Sequence, residues 1–253
     1  MEFGKVAVLM GGKAAEREVS LRSGAAVTEA FLAQGIDAVS EDVTQLADLQ
    51  RIVKEYDRAF IALHGRWGED GVVQAILDDL ELPYTGSGMT ASAVAMDKLR
   101  TKWMWLGAGL PTPGFIWVSD LMPLDIEEFD LPFPVIVKPS HEGSSIGMRK
   151  VYDKESLIEA VTYAREFDSE VLIEQWITGA EYTVSIVGNT VMPSIRMQTP
   201  HSFYDYSAKY QSSSTEYFCP SGLAEEQEAQ LAEIALKAFK SVDCEGWGRV
   251  DFM

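Results

Sequence analysis

The segment from Phe133 to Gly147 contains residue types that could hold a phosphate group. Apolar residues run up to Val137, Lys138 follows, and a loop of small residues comes next. The loop residues with little side-chain bulk are Gly143, Ser144, Ser145 and Gly147. Backbone N–H groups of such a loop can approach an anion closely, and Lys138 adds a positive charge beside them. The segment therefore predicts an anion site, with a flexible hairpin loop as the alternative.

The order of these residues differs from that of a P-loop. In a P-loop the lysine follows the glycines and opens a helix, whereas Lys138 precedes the loop. The residues that follow, from Met148 to Tyr152, carry no helix-opening signature. A P-loop is therefore not the structure that we expect here.

Other charged residues have types that suit a nucleotide site. Lys98 follows the apolar residues Ala93–Met96 in a predicted helix, where a lysine either reaches a cleft or extends its ammonium group to water. A predicted strand ends at Trp176 and Ile177, with Glu174 shortly before this end and Glu181 shortly after it. Backbone groups there could meet a purine, and a carboxylate could bind ribose hydroxyls, although any pair of strands offers such groups.

Two features near the end of the chain could also face a ligand. Arg249 and Asp251 lie two residues apart in the last predicted strand, so their side chains share one face. They form either a functional pair or an intrastrand ion pair. The polar loop from His201 to Gln211 is long and rich in aromatic residues, which favours a lid or a binding segment over disorder.

Alternating strands and helices must position these residues in the first part of the chain. Lys5–Met10 is an apolar run typical of a buried parallel strand, and the pattern continues as a βαβαβα unit. We predict a helix over Ser20–Ala33, with Ser20 as its N-cap and Gly35 as its stop. A single long helix is predicted over Met89–Leu106.

After Pro111–Pro113 the pattern changes to closely spaced strands, which indicates α+β structure. The elements predicted there are a helix over Asp153–Phe167, strands over Val171–Ile177, Glu181–Val187, Val191–Met197 and Trp247–Phe252, and a helix over Ala224–Val242. We predict three domains: a Rossmann-like domain over 1–93, a central domain over 94–178 and a C-terminal domain over 179–253, with a mobile loop at about 198–216.

Composition excludes several classes of function. The 253 residues carry a formal net charge of −18 and the sequence pI is about 4.5, which disfavours a nucleic-acid surface. No signal peptide is recognised, and no apolar run reaches the ~18 residues that a membrane span needs. Cys219 and Cys244 have no metal-ligand spacing and suit reduced thiols. We therefore expect a cytoplasmic protein with no membrane partner.

Several short motifs resemble those of the D-alanine–D-alanine ligase family, in the ATP-grasp superfamily, and they occur in the family's order. They are Gly11–Ser20, Ala62–Arg66, Gly68–Gly71, Thr85–Gly88, Met96–Lys98, Val135–Ser140, Glu142–Ser145, Phe203–Tyr206, Ala208–Tyr210 and Gly246–Asp251. The resemblance implies an ATP-grasp fold of mixed α/β and α+β class. Its parts would be an N-terminal parallel-sheet domain, a small central α+β domain and a larger C-terminal α+β domain.

The resemblance also implies a reaction and its ligands. ATP would phosphorylate the carboxylate of one D-alanine, and the amine of a second D-alanine would attack the acyl phosphate. The product, D-alanyl-D-alanine, serves peptidoglycan synthesis. The implied cofactors are ATP and Mg²⁺, with Mn²⁺ as an alternative ion, and the implied assembly is a homodimer.

The resemblance assigns roles to individual residues. Those implied for the nucleotide are Lys98, Lys138, Gly143, Ser144, Ser145, Glu174, Trp176, Ile177, Glu181 and Lys209. Glu16 would hold the ammonium group of the first D-alanine, His64 would lie near it, and Arg249 would face the tetrahedral centre. Glu16 would also connect through Ser144 to Tyr210 and so lock the lid. Asp251 would be a metal ligand.

The family continues past Asp251 into a segment that supplies further metal ligands. The resemblance therefore implies that a chain ending at Met253 is nearly inactive. A nucleotide-binding protein without catalysis is an alternative, although it does not explain why Glu16, His64, Lys209 and Arg249 occur together. A dinucleotide oxidoreductase is disfavoured, because the residues from Gly11 to Glu16 do not form the G-x-G-x-x-G pattern.

Overall fold

The computed structural model describes residues 3–199 and 215–253. The chain divides into two compact units. Unit 1 comprises Met1–Ala95 and Asp243–Gly246, and unit 2 comprises Met96–Val242 and Trp247–Met253. The threefold division predicted from the sequence stays a prediction. None of the described helices combines the length and apolar character that crossing a bilayer requires.

Unit 1 contains a parallel sheet with the strand order β2-β1-β3. Its strands are β1 (Val6–Met10), β2 (Ala38–Asp42) and β3 (Arg58–Ile61). The middle strand is apolar throughout, and Ala7, Val8 and Leu9 have no exposed surface. A strand covered on both faces is expected to be uniformly apolar, which explains the sequence of β1.

Helices connect and cover these strands. They are α1 (Arg17–Ala33), α2 (Leu46–Glu55), α3 (Val72–Asp79) and α4 (Met89–Met96). In α2 and α3 the fully buried residues are spaced three or four apart, as one face of a helix requires: Leu49 and Ile52, then Val73 and Leu77. These side chains join Leu9 in one hydrophobic core.

The prediction that Ser20 caps the first helix is wrong. Helix α1 begins at Arg17, with Glu16 at the N-cap position and no side-chain cap bond. The hydroxyl of Ser20 is instead buried, accepting from the Gly11 backbone N–H at 2.9 Å and donating to the carbonyl of Ala62 at 2.7 Å. A serine can satisfy the backbone of a neighbouring strand as well as that of its own helix, and only the fold decides between the two. Gly35, at φ +74°, does follow the helix end as predicted.

The predicted long helix is two helices. Helix α4 ends at Met96, and α5 (Lys98–Gly107) begins directly after Asp97, which has an extended backbone at φ −90° and ψ 100°. The Asp97 carboxylate accepts the Arg100 backbone N–H at 3.0 Å. Aspartate is among the strongest N-cap residues, and here capping overrides the helical pattern of the sequence. The break makes Lys98 the first residue of a new helix.

Unit 2 contains two antiparallel sheets. The first has the order β4-β7-β5-β6 and is formed by β4 (Phe115–Val118), β5 (Val135–Pro139), β6 (Arg149–Val151) and β7 (Val171–Gln175). Helix α6 (Lys154–Ala164) contacts β5 and β6. Leu157, Ala160 and Ala164 on this helix are buried with Val135 and Val137 of β5, which gives the sheet its core.

The second sheet has the order β11-β10-β8-β12, with β9 beside β8. Its strands are β8 (Glu181–Val187), β9 (Thr190–Val191), β10 (Ile195–Gln198), β11 (Glu216–Phe218) and β12 (Trp247–Phe252), and α7 (Glu225–Ser241) contacts β12 and β8. The strand predicted over Val191–Met197 is interrupted between Val191 and Ile195. Pro193 lies in the interruption and has no N–H group for a ladder hydrogen bond.

Candidate functional site

The small-residue loop after β5 has an ordered, left-handed backbone. Ser144, Ser145 and Gly147 have φ values of 53°, 60° and 71°, which is uncommon for serine. The Ile146 N–H donates to the carbonyl of Gly143 at 3.0 Å. A Cβ atom added at Gly147 would lie 2.7 Å from Cγ of Pro139, so the loop needs glycine there. The loop therefore forms a hydrogen-bonded turn with glycine required at position 147, and the predicted anion site stays a prediction.

Lys98 is directed at the start of this loop. Its ammonium group donates to the carbonyl of Ser140 at 3.3 Å and to the carbonyl of Glu142. Its backbone N–H also donates to the Ser140 carbonyl, at 3.1 Å. Of the two interpretations offered by the sequence, the structure therefore favours a lysine that serves the loop over one that extends to water.

Lys138 forms part of a buried group with Glu174 and Lys102. Glu174 is 7% exposed as a residue, and its two carboxylate oxygens accept from Lys138 and, at 2.5 Å, from Lys102. Lys102 is 4% exposed and also donates to Oγ1 of Thr112 at 2.6 Å. Strands β5 and β7 bring Lys138 and Glu174 together, because Glu174 pairs in register with Ile136, two residues before Lys138.

The ionisation of this group follows from its burial and its charges. Burial opposes ionisation of Glu174, but Lys138 and Lys102 outweigh it and hold the pKa of the carboxyl below its ordinary value. Burial lowers the pKa of Lys102, and Glu174 offsets part of that effect. The sequence reasoning missed Lys102, whose only signal is its position four residues after Lys98 on the same helix.

The residues predicted to meet a purine lie at the end of β7. The Trp176 N–H donates to the carbonyl of Pro134 at 3.1 Å, and the Gln175 N–H donates to the carbonyl of Gly114 at 2.8 Å. The ammonium group of Lys150 lies 3.7 Å from the centroid of the Trp176 ring, in a cation–π contact. Ile177 follows Trp176 in the chain and is half-buried, and Glu181 opens β8, where it pairs in register with Met197. Glu174 contacts Lys138, and all the residues predicted to meet the adenosine belong to the same unit, while the purine site itself stays a prediction.

Arg249 and Asp251 share one face of β12, as the period of two predicts. The Nε atom of Arg249 lies 3.0 Å from Oδ1 of Asp251, and the hydroxyl of Thr183 donates to the same oxygen at 2.7 Å. The intrastrand ion pair that the sequence offered as an alternative is therefore present. Both charged side chains are about half exposed, at 57% and 49%.

Glu16 and His64 lie in unit 1 around Gly65. Glu16 is 3% exposed, and a Cβ atom added at Gly65 would lie 2.5 Å from its Oε2 atom. His64 has Nε2 at 3.4 Å from Oγ of Ser23 and Nδ1 at 3.8 Å from Oε1 of Glu69. The close approach of the Glu16 carboxylate explains why the position after His64 is a glycine.

The structure thus collects the predicted residues into separate neighbourhoods. In unit 2, Lys98 contacts the start of the small-residue loop, which spans residues 141–147, carries Gly143, Ser144 and Ser145, and is called the glycine-rich loop below. Lys138 precedes that loop in β5, and Glu174 binds Lys138. Arg249 and Asp251 lie on the second sheet of that unit, and Glu16 and His64 lie in unit 1. Lys209 and Tyr210 fall outside the described residues. The roles assigned to all these residues stay predictions.

Models of known families match most of the chain. The N-terminal model of D-ala D-ala ligase matches residues 36–87, and its C-terminal model matches residues 105–253. The chain is 64% identical to the D-alanine–D-alanine ligase of Hydrogenovibrio crunogenus over 251 residues, which cover 99% of this chain and 80% of that protein. It is 54% identical to that of Alcanivorax borkumensis, covering 99% of this chain and 79% of that protein.

Solved structures agree with these matches. The D-alanine–D-alanine ligase of Bacillus anthracis superposes with a TM-score of 0.89 at 36% identity, covering 98% of this chain and 82% of that one. A complex of the Bacillus anthracis ligase with ATP gives a TM-score of 0.85 at 33% identity, covering 99% and 81%. The predicted ATP-grasp fold class and the resemblance read from the motifs are both confirmed, and the chain belongs to the D-alanine–D-alanine ligase family.

Proposed function

We propose that the chain joins two D-alanine molecules into D-alanyl-D-alanine in an ATP-dependent reaction that serves peptidoglycan synthesis. The observation that carries this proposal is the glycine-rich loop bordered by Lys98 and Lys138, in a chain that is 64% identical to a D-alanine–D-alanine ligase. The reaction proceeds in two steps, through phosphorylation of one D-alanine carboxylate and attack of the second D-alanine amine on the acyl phosphate.

The glycine-rich loop and the two lysines beside it suit the triphosphate of ATP. The chain carries a net charge of −18, so a polyanionic ligand must meet local cations. Lys98 and Lys138 supply two, and both ammonium groups are held by protein acceptors before any ligand arrives. Cations fixed in this way need little reorganisation when negative charge spreads over a transferring phosphoryl group. Glu174, Trp176, Ile177 and Glu181 would then contact the adenosine part.

The two substrate molecules need groups of other kinds. The first D-alanine carries an ammonium group, for which the buried carboxylate of Glu16 is the proposed partner, with His64 nearby. Attack of the second amine builds negative charge on a tetrahedral carbon, and the guanidinium of Arg249 is the proposed stabilising group. Ser144, Lys209 and Tyr210 are the other residues proposed for the site. The family resemblance implies that Ser144 connects Glu16 to Tyr210, and that this connection locks the lid.

Magnesium is part of the proposal, and Asp251 is its proposed protein ligand. A carboxylate oxygen is the donor type that Mg²⁺ prefers, and phosphate and water oxygens can fill the remaining positions of its octahedron. Thr183 already fixes the orientation of the Asp251 carboxylate. When bound, the ion would neutralise part of the charge on the phosphates.

The homodimer implied by the family is likewise proposed, and sedimentation analysis tests it.

Phosphate release tests the reaction directly. With ATP and Mg²⁺, the proposed reaction gives phosphate release that depends on D-alanine and not on L-alanine, together with a dipeptide detected by mass spectrometry. Such release would also show that the near-inactivity implied by the family resemblance is wrong. D-serine and D-lactate, offered with D-alanine, test the choice of second substrate, since a D-Ala:D-Ser ligase of Enterococcus faecalis also superposes on the chain with a TM-score of 0.83 at 28% identity. Binding of ATP without release that depends on D-alanine would contradict the proposal and favour a nucleotide-binding protein without catalysis.

A further inference from the structure

His141, at the start of the glycine-rich loop, is held between two carboxylates. Its Nδ1 atom lies 2.7 Å from Oδ2 of Asp168, and its Nε2 atom lies 3.1 Å from Oδ2 of Asp97. Its backbone N–H also donates to Oδ2 of Asp168, at 2.7 Å. A neutral imidazole has one donor nitrogen, whereas the imidazolium has two. Because ionised carboxylates only accept, this geometry requires the protonated ring.

The charges around His141 agree with a protonated ring. The hydrogen bonds to Asp168 and Asp97 raise the pKa of His141 to about 9. Burial raises the pKa of Asp168, but the hydrogen bonds from the His141 side chain and from the Glu170 and His141 backbone, together with the charge of His141, outweigh burial and lower the pKa to about 2. Arg100 and Glu170 are the other charged groups of the cluster, and Arg100 binds Glu170 through both terminal nitrogens.

The same cluster has side chains of metal-ligating types, but its charges are already matched. Asp97, His141 and Glu170 have ligand atoms within 4.8 Å of one another. Arg100 is bound to Glu170 and lies 3.2 Å from Oδ2 of Asp97, and His141 reaches the same Asp97 oxygen. Two cations therefore occupy the carboxylates that a metal ion would need, and we interpret the group as a salt-bridge cluster.

The carboxylates that hold His141 belong to different elements of unit 2. Asp97 is the N-cap of α5 and accepts from the hydroxyl of Ser140 at 3.2 Å, while Asp168 lies between α6 and β7. His141 therefore connects the beginning of the loop to the start of a helix and to the approach of a strand. Its own side chain is 34% exposed, so this connection lies at the edge of the core.

The position of His141 also determines where Lys98 points. The Lys98 ammonium group donates to the carbonyls of Ser140 and Glu142, the residues on either side of His141. A shift of the His141 backbone would move both acceptors together. Lys98 follows Asp97 directly in the chain, so the carboxylate that binds the His141 ring also fixes the helix end from which Lys98 extends.

We propose that His141 is a positioning residue for the nucleotide: as a cation shared by Asp97 and Asp168, it sets the backbone at the start of the glycine-rich loop and the direction of the Lys98 ammonium group. This inference rests on the proposed function, since it assumes that the loop and Lys98 bind the phosphates of ATP. It assigns His141 no contact with substrate and no proton transfer in the reaction.

Calorimetric titration with ATP and Mg²⁺, in the absence of D-alanine, tests the proposal on wild type, His141→Gln and His141→Arg. Glutamine keeps an uncharged amide NH₂ group as donor, whereas arginine keeps the charge and several donors. Loss of the charge weakens both bonds that hold the start of the loop, so we expect His141→Gln to weaken ATP binding about tenfold or more. His141→Arg should recover most of that loss.

A pH series separates positioning from a general effect on folding. Between pH 7 and pH 9.5 the wild-type affinity should fall as the ring loses its proton, while the affinity of His141→Arg should fall less. Lys98 is present in both proteins, so its own titration cancels in the comparison. Arg51→Gln, which removes a cation held by Glu41 and Glu55 in unit 1, is the matched control and should bind ATP like wild type.

The outcomes distinguish the inference from the function on which it rests. Failure of wild type to bind ATP overturns the proposed function. Binding by wild type with an equal affinity in His141→Gln overturns the inference alone. If His141→Gln fails to fold, wild type and His141→Arg still decide, because identical pH profiles for these two proteins refute a role for the protonated ring.

Discussion

At the scale of single residues, the buried ions of unit 2 depend on one carboxylate. Glu174 is the shared counter-ion of Lys138 and Lys102, and Lys102 is the more deeply buried of the two lysines. A buried charge without a partner is strongly unfavourable, whereas the net contribution of an intact buried pair is small. The structure therefore makes Glu174 important for folding as well as for its proposed contact with ATP.

We expect Glu174→Gln to lower the free energy of unfolding by about 3 kcal/mol or more, because it leaves the Lys102 ammonium group buried without a negative partner. Urea denaturation measures the change. The double variant Lys102→Met with Glu174→Gln also removes the unpaired Lys102 ammonium group, so it should recover much of the lost unfolding free energy. A loss below about 1 kcal/mol in the single variant, as for an exposed ion pair, would contradict this assignment.

His141 makes a prediction about pH and stability. The pKa of its imidazole is raised to about 9 in the folded protein, against about 6.5 for an ordinary histidine. A raised pKa stabilises the fold fully below the ordinary value, and this contribution is lost as the pH rises through the folded value. The difference in unfolding free energy between wild type and His141→Gln should therefore be largest below about pH 6.5 and shrink up to about pH 9.

The control for this experiment is Arg51→Gln. The Arg51 guanidinium of the wild type stays protonated throughout this pH range. The difference in unfolding free energy between wild type and Arg51→Gln should therefore not change with pH. Asp168 does not interfere, because its pKa of about 2 means that its contribution is lost only in acid. A wild-type advantage over His141→Gln that does not change with pH would show that the ring acts in its neutral form.

At the scale of elements, the turn after β5 shapes the proposed phosphate site. The backbone of the loop is left-handed at Ser144, Ser145 and Gly147, and the loop is anchored at its start by His141. The break between α4 and α5 serves the same site, because it places Lys98 at the start of a helix beside that loop. Local backbone conformation therefore contributes to the shape of this site alongside its side chains.

Gly147→Ala should destabilise the protein more than Gly188→Ala does, and only the first should weaken ATP binding. Both glycines have a positive φ, so each substitution incurs roughly 1–2 kcal/mol of backbone strain. A Cβ atom at Gly147 would also lie 2.7 Å from Pro139 and 2.8 Å from Phe167, whereas a Cβ atom at Gly188 would have no atom of the described residues within 4 Å. Thermal unfolding and ATP titration of the two variants measure the difference.

Equal destabilisation in the two variants would mean that Pro139 and Phe167 move aside without cost. Unchanged ATP binding in Gly147→Ala would separate the shape of the turn from nucleotide recognition. Either result would limit the role that we give to the backbone of this loop.

At the scale of the whole molecule, the proposed contacts divide between the two units. The groups proposed for ATP, from Lys98 to Glu181, belong to unit 2, whereas Glu16 and His64 belong to unit 1. A ligand stabilises most strongly the part of a protein that contains its contacts. Each ligand should therefore leave its own pattern of protection along the chain.

Amide hydrogen exchange tests this division. ATP with Mg²⁺ should slow exchange in β5, the following loop and β7, whereas D-alanine should slow exchange near Glu16 and His64. L-alanine serves as the control for the second ligand and should change neither region. Protection of unit 1 by ATP with none in unit 2 would contradict the proposed roles of Lys98 and Lys138.

The sequence by itself determined the family, the fold class and the types of most elements. Short motifs in a fixed order identified the family, and hydrophobic periodicity located β1, α7 and β12, because burial of one face or of both faces leaves a regular pattern. The shared face of Arg249 and Asp251 also followed from the period of a strand. These features depend on neighbours along the chain, which a sequence displays directly.

Only the tertiary structure decided which partner each polar group takes. Ser20 bonds to the strand ends of unit 1 instead of capping its helix, and Lys102 meets Glu174 across 72 positions of sequence. His141 likewise meets Asp97, 44 positions away. A buried polar group binds whichever partner the fold brings within about 3 Å, and that proximity arises from the packing of elements that lie far apart in the chain.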